Sequence, residues 1–361
     1  MISTALYLGT TSIQVSVSTG GVNANVYSGG SLVRQGYAPT YAESSTAPAL
    51  AAEGDKWWST SNSTPFRYLS GGWRKLALPL TALYTFTTAT FNTGGATGRN
   101  GPTLSQARSG LTGTPTPSNW YNTYLNMTTQ GYQLWTVPVT GTYTIDAYGA
   151  GTPNGGYGGR VQAQFSLTSG NVLIIAIGQQ GIGGDGTGNW YAGGGGGGTF
   201  VASGSNQASA TVLLVAGGGG GRYYTSGVLT NGLSSSGGWA LDTISTYASG
   251  GTGSGNGSGA GGGVETDGTS GGQSFRNGLV GDTADLAGGV GGFGGGGSGG
   301  GNPGGGGGGY RGGNYGTDAN FGGSYNVAGQ GGTSYINSTG TNTTSVAGTN
   351  AGAGYVTITK I

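Results

Sequence analysis

Four uninterrupted glycine runs constrain this chain more than any other feature: 193–198, 217–221, 294–297 and 304–309, ending at Gly193 and Gly198, Gly217 and Gly221, Gly294 and Gly297, and Gly304 and Gly309. Glycine brings no side chain to a core and loses more backbone freedom on folding than any other residue. Two readings of such runs are open. Gly-rich sequence is ordinarily a flexible linker. Alternatively the runs are ordered polyproline II-type rods, rising about 3.1 Å per residue with three residues per turn and every backbone N–H and C=O pointing outward. Without side chains, neighbouring rods can approach until those groups bond to each other. The runs sit inside a strand pattern, between Trp190-Tyr191 and Thr199-Phe200-Val201 in the first case, which favours the ordered lattice. Six glycines would span roughly 19 Å as such a rod, about the length of an ordinary strand. A collagen helix is excluded, because no Gly-X-Y period exists and only 10 prolines are present.

The glycines are unevenly placed: 17 of the 89 lie up to Tyr148 and the other 72 in the 213 residues that follow. The 361 residues are 10% aromatic and only 6% charged, the opposite of a disordered composition. With no His and no Cys, zinc fingers, iron–sulfur clusters, haem ligation, thiol nucleophiles and Ser-His-Asp triads are all excluded. A net charge of +1 offers no broad footprint for nucleic acid. No run of about 20 apolar residues exists, so no membrane insertion is expected. The N-terminus has neither a basic start nor an apolar run of signal-peptide length, and a soluble product of the cytoplasm is expected.

Short alternating segments read as strands throughout. Residues 1–80 form a small N-terminal β-rich module, with alternation at 12–17 and 22–27. Residues 39–52, rich in Ala, Pro and Ser, read as a linker. After it, Gly54-Asp55-Lys56-Trp57-Trp58, Phe66-Arg67-Tyr68-Leu69 and Gly72-Trp73-Arg74-Lys75-Leu76 suggest three antiparallel strands. Residues 81–361 form the glycine-rich domain, with strands expected at 83–88, 132–137, 143–148, 160–167, 172–177, 199–202, 211–216, 333–336 and 355–361. Those at 172–177 and 212–215 are apolar on both faces, as in the interior of packed sheets. One helix is expected, at 103–109 behind Pro102. The fold class is all-β.

Chemistry-bearing motifs are few. Gly-x-Gly-x-x-Gly strings arise by chance here, and no Gly-Lys-Ser/Thr follows them. The stretch 183–189 echoes a calcium-binding repeat but has one carboxylate, Asp185, and reads as a turn. The pairs Glu265/Asp267 and Asp282/Asp285 resemble acid–base couples for sugar hydrolysis, yet read better as solvated loop charge. No enzymatic activity, cofactor or metal is expected. Aromatics beside the runs stand out as candidate receptor contacts: Trp190, Tyr191, Tyr223, Tyr224, Trp239, Tyr247, Tyr310, Tyr315, Phe321 and Tyr325. Loop aromatics on a rigid scaffold give contact area at low entropy cost. Their alternative role is to cover the flanks of the lattice.

From Leu83 onward, ordered blocks resemble the glycine-rich domain family known from the ectodomains of anaplastic lymphoma kinase and leukocyte tyrosine kinase. They include Gly95-Ala96-Thr97-Gly98-Arg99-Asn100-Gly101-Pro102-Thr103, Gly131-Tyr132-Gln133-Leu134-Trp135-Thr136-Val137-Pro138, Tyr148-Gly149-Ala150-Gly151 and Gly354-Tyr355-Val356-Thr357-Ile358, with the glycine runs between them. The resemblance implies a jelly-roll-like β-sandwich with an inserted polyglycine II helix bundle. Receptor members carry disulfides, a membrane helix and a kinase, none of which is found in this sequence, so a cytokine-receptor role does not carry over. The Trp57-Trp58 and Trp73-Arg74-Lys75 segments resemble a module of bacteriophage tail-fibre proteins. A phage virion protein, a tail fibre or fibre-tip adhesin, is therefore expected. Residues 1–80 would join other virion or tail proteins, the glycine-rich domain would bind a host surface glycan or outer-membrane protein, and a homotrimer is left open. A capsid decoration or fibre shaft and an ice-binding polyglycine II protein are the alternatives.

Overall fold

The computed structural model describes residues 82–113, 115, 117–153, 156–183, 192–222, 249–252, 257–283, 288–301, 303–316 and 328–361, together with the backbone of strands within 2–75 and at 239–241. The chain divides into two compact units, Met1–Thr81 and Ala82–Ile361.

In the first unit, strands β1 (Ile2–Leu8), β2 (Thr11–Ser18), β3 (Gly21–Ser28) and β4 (Ser31–Tyr37) form an antiparallel meander in chain order. A second sheet follows from β5 (Ala42–Ser44), β6 (Lys56–Ser59), β7 (Thr64–Leu69) and β8 (Gly72–Lys75). The last three are the antiparallel strands expected around Trp57, Phe66 and Trp73. Within the stretch 39–52, read as a linker from its composition, Ala42–Ser44 pairs in parallel with β6, Glu43 opposite Trp58. Three residues, Ala42-Glu43-Ser44, are too few to carry a strand signal of their own.

The second unit is an all-β sandwich. Its first sheet has six strands in the order β10 (Thr112–Gly113), β9 (Thr88–Phe91), β21 (Tyr355–Lys360), β13 (Gly141–Tyr148), β14 (Gly158–Leu167), β20 (Thr341–Asn350). The second has seven: β11 (Leu125–Asn126), β12 (Tyr132–Thr136), β15 (Val172–Ala176), β16 (Thr199–Ser203), β17 (Thr211–Ala216), β19 (Thr333–Ile336) and β18 (Trp239–Leu241). The final pair is parallel and the other described pairs are antiparallel.

Side-chain period two sets the layers. In β13, Tyr143, Ile145 and Ala147 are buried while Thr144, Asp146 and Tyr148 face outward. Val161, Phe165, Val356 and Ile358 join them, and Leu173, Ile175 and Leu214 meet them from the other sheet. The alternate residues of that second sheet are also buried. Ile174, Ala176, Phe200 and Val215 pack with Phe275, Leu279, Phe293 and Tyr310 from the glycine-rich segments. The apolar-on-both-faces strands are thus those covered on two sides.

Two details differ from the sequence expectation. The strand anticipated at 83–88 instead runs through Thr88–Phe91, where it pairs with β21. Tyr84 and Phe86 are buried plugs of the sandwich end, and Tyr84 Oη accepts a bond from Trp135 Nε1 at 2.7 Å. The helix α1, Leu104–Gly110, begins with a capping box at Thr103: Gln106 N donates to Thr103 Oγ1 and Thr103 N donates to Gln106 Oε1. A four-residue helix α2, Tyr121–Tyr124, carries no sequence signal strong enough to anticipate it.

The glycine runs are extensions of the strands. β17 leads into 217–222, the run 193–198 leads into β16, and 328–332 leads into β19. Along 305–310 successive N–H groups donate to three neighbours in rotation. Gly305 and Gly308 donate to Gly193 and Gly196, Gly306 and Gly309 to Gly259 and Gly262, and Gly307 and Tyr310 to Gln330 and Thr333. Carbonyls turn to three further neighbours: Gly305 and Gly308 accept from Gly221 and Gly218, Gly306 from Gly297, and Gly307 from Gly313. All these bonds measure between 2.7 and 3.2 Å. Returning to one neighbour every third residue is the signature of a helix with three residues per turn and no internal bonds. Six surrounding segments make the run 304–309 the central rod of a polyglycine II lattice. A Cβ on Gly306, Gly307 or Gly308 would collide with the carbonyls of Gly313, Gly218 and Gly294.

Candidate functional site

Most candidate contact aromatics fall on segments outside the described residues: Trp190, Tyr191, Tyr223, Tyr224, Tyr247, Phe321 and Tyr325. Trp239 begins β18, whose backbone pairs with β19 opposite Thr333; its side chain is likewise outside the description. Tyr310 and Tyr315 are buried, with 8% and 7% of their surface accessible. Tyr310 stacks on Tyr335 with ring centroids 4.1 Å apart and planes 8° from parallel. These two rings therefore cover the lattice flank and present little contact surface.

The ends of the aromatic-bearing segments are firmly placed. Arg222 O accepts from Gly193 N and Ser249 O from Gly312 N, both at 3.0 Å, so 223–248 leaves and re-enters through bonded residues. Gly316 N donates to Gly304 O, and Gly329 N to Gly221 O, which fixes both sides of 317–327. Ile182 N donates to Val290 O and Ala192 N to Gly300 O on either side of 184–191.

Among the described residues, the carboxylates singled out from sequence are hydrogen-bond acceptors that hold turns. Asp267 accepts from Ser274 N through Oδ1 and from Asn277 Nδ2 through Oδ2, each at 2.7 Å. Asp282 Oδ2 accepts from Ser298 N and Oγ. Asp285 and the stretch 184–189 lie outside the described residues. No group of three His, Cys, Asp or Glu among the described residues is placed to hold a metal.

Glu265 stands apart from the others. It pairs with Arg276, whose Nε and Nη2 donate to the carboxylate at 3.3 and 3.0 Å. Arg276 Nη1 donates to the carbonyls of Gln207 and Ala210. Both residues line a hollow of about 360 Å³ that also includes Tyr310, Tyr335 and Asn337. No local motif marks it, because the lining residues come from five separated stretches, 209–212, 264–265, 276, 310 and 335–337. A second polar surface is the outer face of the six-stranded sheet. There Arg160 makes a paired contact with Asp146, both bonds at 2.9 Å, and its guanidinium lies 5.3 Å from the centre of the Tyr148 ring. Tyr148 stacks on Tyr355, and burial, helped by Tyr148, pushes the Tyr355 phenol up to about 12.

No protein-family model matches this chain. Over 98 residues it is 40% identical to the leukocyte tyrosine kinase receptor of Mus musculus, a match covering 25% of this chain and 11% of the receptor. The chain is thus similar to a limited part of that receptor and spans about a tenth of its length.

Proposed function

We propose that this chain is a non-enzymatic binding protein of a bacteriophage virion, a tail fibre or fibre-tip adhesin whose glycine-rich domain contacts the host surface. The observation that carries the reading is the anchoring of aromatic-bearing segments at bonded lattice residues, Arg222 and Ser249 foremost. A rigid anchor lowers the entropy cost of presenting a contact loop. The absence of His and Cys from the sequence and the structural use of Asp267 and Asp282 agree with binding rather than chemistry. The virion setting is supported by the Trp57-Trp58 and Trp73-Arg74-Lys75 segments, through which residues 1–80 would join other tail proteins.

Deleting 223–248 from the phage-encoded chain tests the reading. Host adsorption should be lost or redirected to other hosts while particles still assemble. Unchanged adsorption would contradict a receptor-binding role, and a tag at Ile361 imaged on the capsid or along a shaft would contradict a tip.

A further inference from the structure

We propose that the hollow between β19 and the 264–276 turn is a binding site for a neutral pyranose, with Tyr335, backed by the buried ring of Tyr310, as the platform and the Glu265 carboxylate as the hydroxyl acceptor. Its volume, about 360 Å³, lies within the roughly 300–1,000 Å³ of small-molecule sites. Its lining brings Tyr335 together with the polar side chains of Glu265, Arg276 and Asn337. An aromatic ring beside polar side chains suits a pyranose, which has a C–H face and a rim of hydroxyls. The C–H face packs on an aromatic surface, whose face is electron-rich. A sugar hydroxyl donating to a carboxylate makes a charge-assisted bond, about twice as strong as a neutral one.

The charges specify an uncharged ligand. Arg276 commits four of its five donors, two to Glu265 and two to the carbonyls of Gln207 and Ala210. It therefore positions and neutralises Glu265 rather than recruiting an anion. The Glu265 side chain keeps 53% of its surface open, leaving lone pairs for a ligand. The platform is fixed beforehand: Tyr335 pairs with Val215 in the sheet, and Tyr310 N donates to Thr333 O at 2.8 Å. Cleavage of a bound sugar needs a second carboxylate across the glycosidic bond. Among the described residues Glu265 is the one carboxylate lining the hollow, which fits binding without hydrolysis.

This inference deepens the adhesin reading by naming a ligand class, and its test is independent of any virion. Saturation-transfer NMR on the purified full chain would use methyl glucopyranoside, galactopyranoside and mannopyranoside and N-acetylglucosamine as probes. At least one should take up saturation through its ring C–H protons, with Kd on the order of 1 mM. Tyr335→Phe should retain binding and Tyr335→Leu should lose it. Glu265→Gln, an exposed change that leaves the fold in place, should weaken binding about tenfold at unchanged Tm. Silence of all four probes at about ten times that concentration would overturn the proposal. So would equal binding by wild type and Glu265→Gln, which would place the sugar elsewhere. Either result leaves the adhesin reading to the adsorption experiment.

Discussion

The sandwich and the glycine lattice solve the same problem with opposite means. Around Trp135, order comes from side chains: Phe86, Phe91 and Tyr143 surround the indole at centroid distances of 5.3 to 6.0 Å. Around Gly307, order comes from backbone groups alone, each bonded to a different neighbour. A net hydrogen bond contributes about 0.5–1.5 kcal/mol, whereas fixing a backbone residue costs about 1–2 kcal/mol. The lattice by itself is close to break-even. It persists because β15, β16, β17 and β19 hold the ends of its rods, so the side-chain core stabilises the backbone core.

That asymmetry can be broken experimentally. The largest effect is expected from Trp135→Ala, which should cost about 3–5 kcal/mol in denaturant unfolding. Amide protection should fall in both regions together. A lattice that stayed protected while the sandwich loosened would reverse the proposed dependence. Gly307→Ala should cost about 1–3 kcal/mol, since its Cβ meets the fixed Gly218 carbonyl and no side chain that could move aside. Its damage should stay local: faster exchange in the lattice, with the near-ultraviolet signal of the sandwich aromatics retained.

Alkaline titration sharpens the comparison from the side-chain core. Burial raises the phenols of Tyr84, in the sandwich, and Tyr132, between the second sheet and Phe275, well above their ordinary value. In the unfolded chain they ionise near pH 10, while the native state keeps them neutral. Their contribution is complete below about pH 10 and is lost as pH rises from there toward the native values. Chemical denaturation between pH 8 and 12 should show a plateau and then a fall. Tyr84→Phe and Tyr132→Phe should flatten the fall. The smallest effect belongs to Gly352→Ala, whose Cβ would come no nearer than 3.8 Å to Asn350 Oδ1. Its stability should stay within about 0.5 kcal/mol of wild type, which separates lattice glycines from merely abundant ones.

Much of this architecture is legible in the residues. Alternation at Tyr143–Tyr148 marks β13, apolar continuity at 172–177 marks a strand covered on both faces, and Pro102 ahead of 103–109 marks α1. The glycine runs, set between strands, favour ordered rods over a flexible linker in the sequence alone. What escapes is set by the environment. β20, Thr-Asn-Thr-Thr-Ser-Val-Ala-Gly-Thr-Asn, sits at a sheet edge and is mostly exposed. It needs no apolar face and shows no period. The Glu265–Arg276 hollow escapes for a different reason: Tyr310 and Tyr335 reach it through lattice and sheet contacts far apart in sequence. Tyr310 and Tyr315 are buried beside the glycine runs, where a lattice without side chains leaves room for bulky rings.

Amide hydrogen exchange resolved at 304–310 tests the central claim most directly. If backbone bonds between rods form a true core, the amides of Gly305 to Gly309 exchange as slowly as those of Ile145 and Ile175 in the sandwich. Exchange at the rate of an unfolded glycine peptide would contradict it.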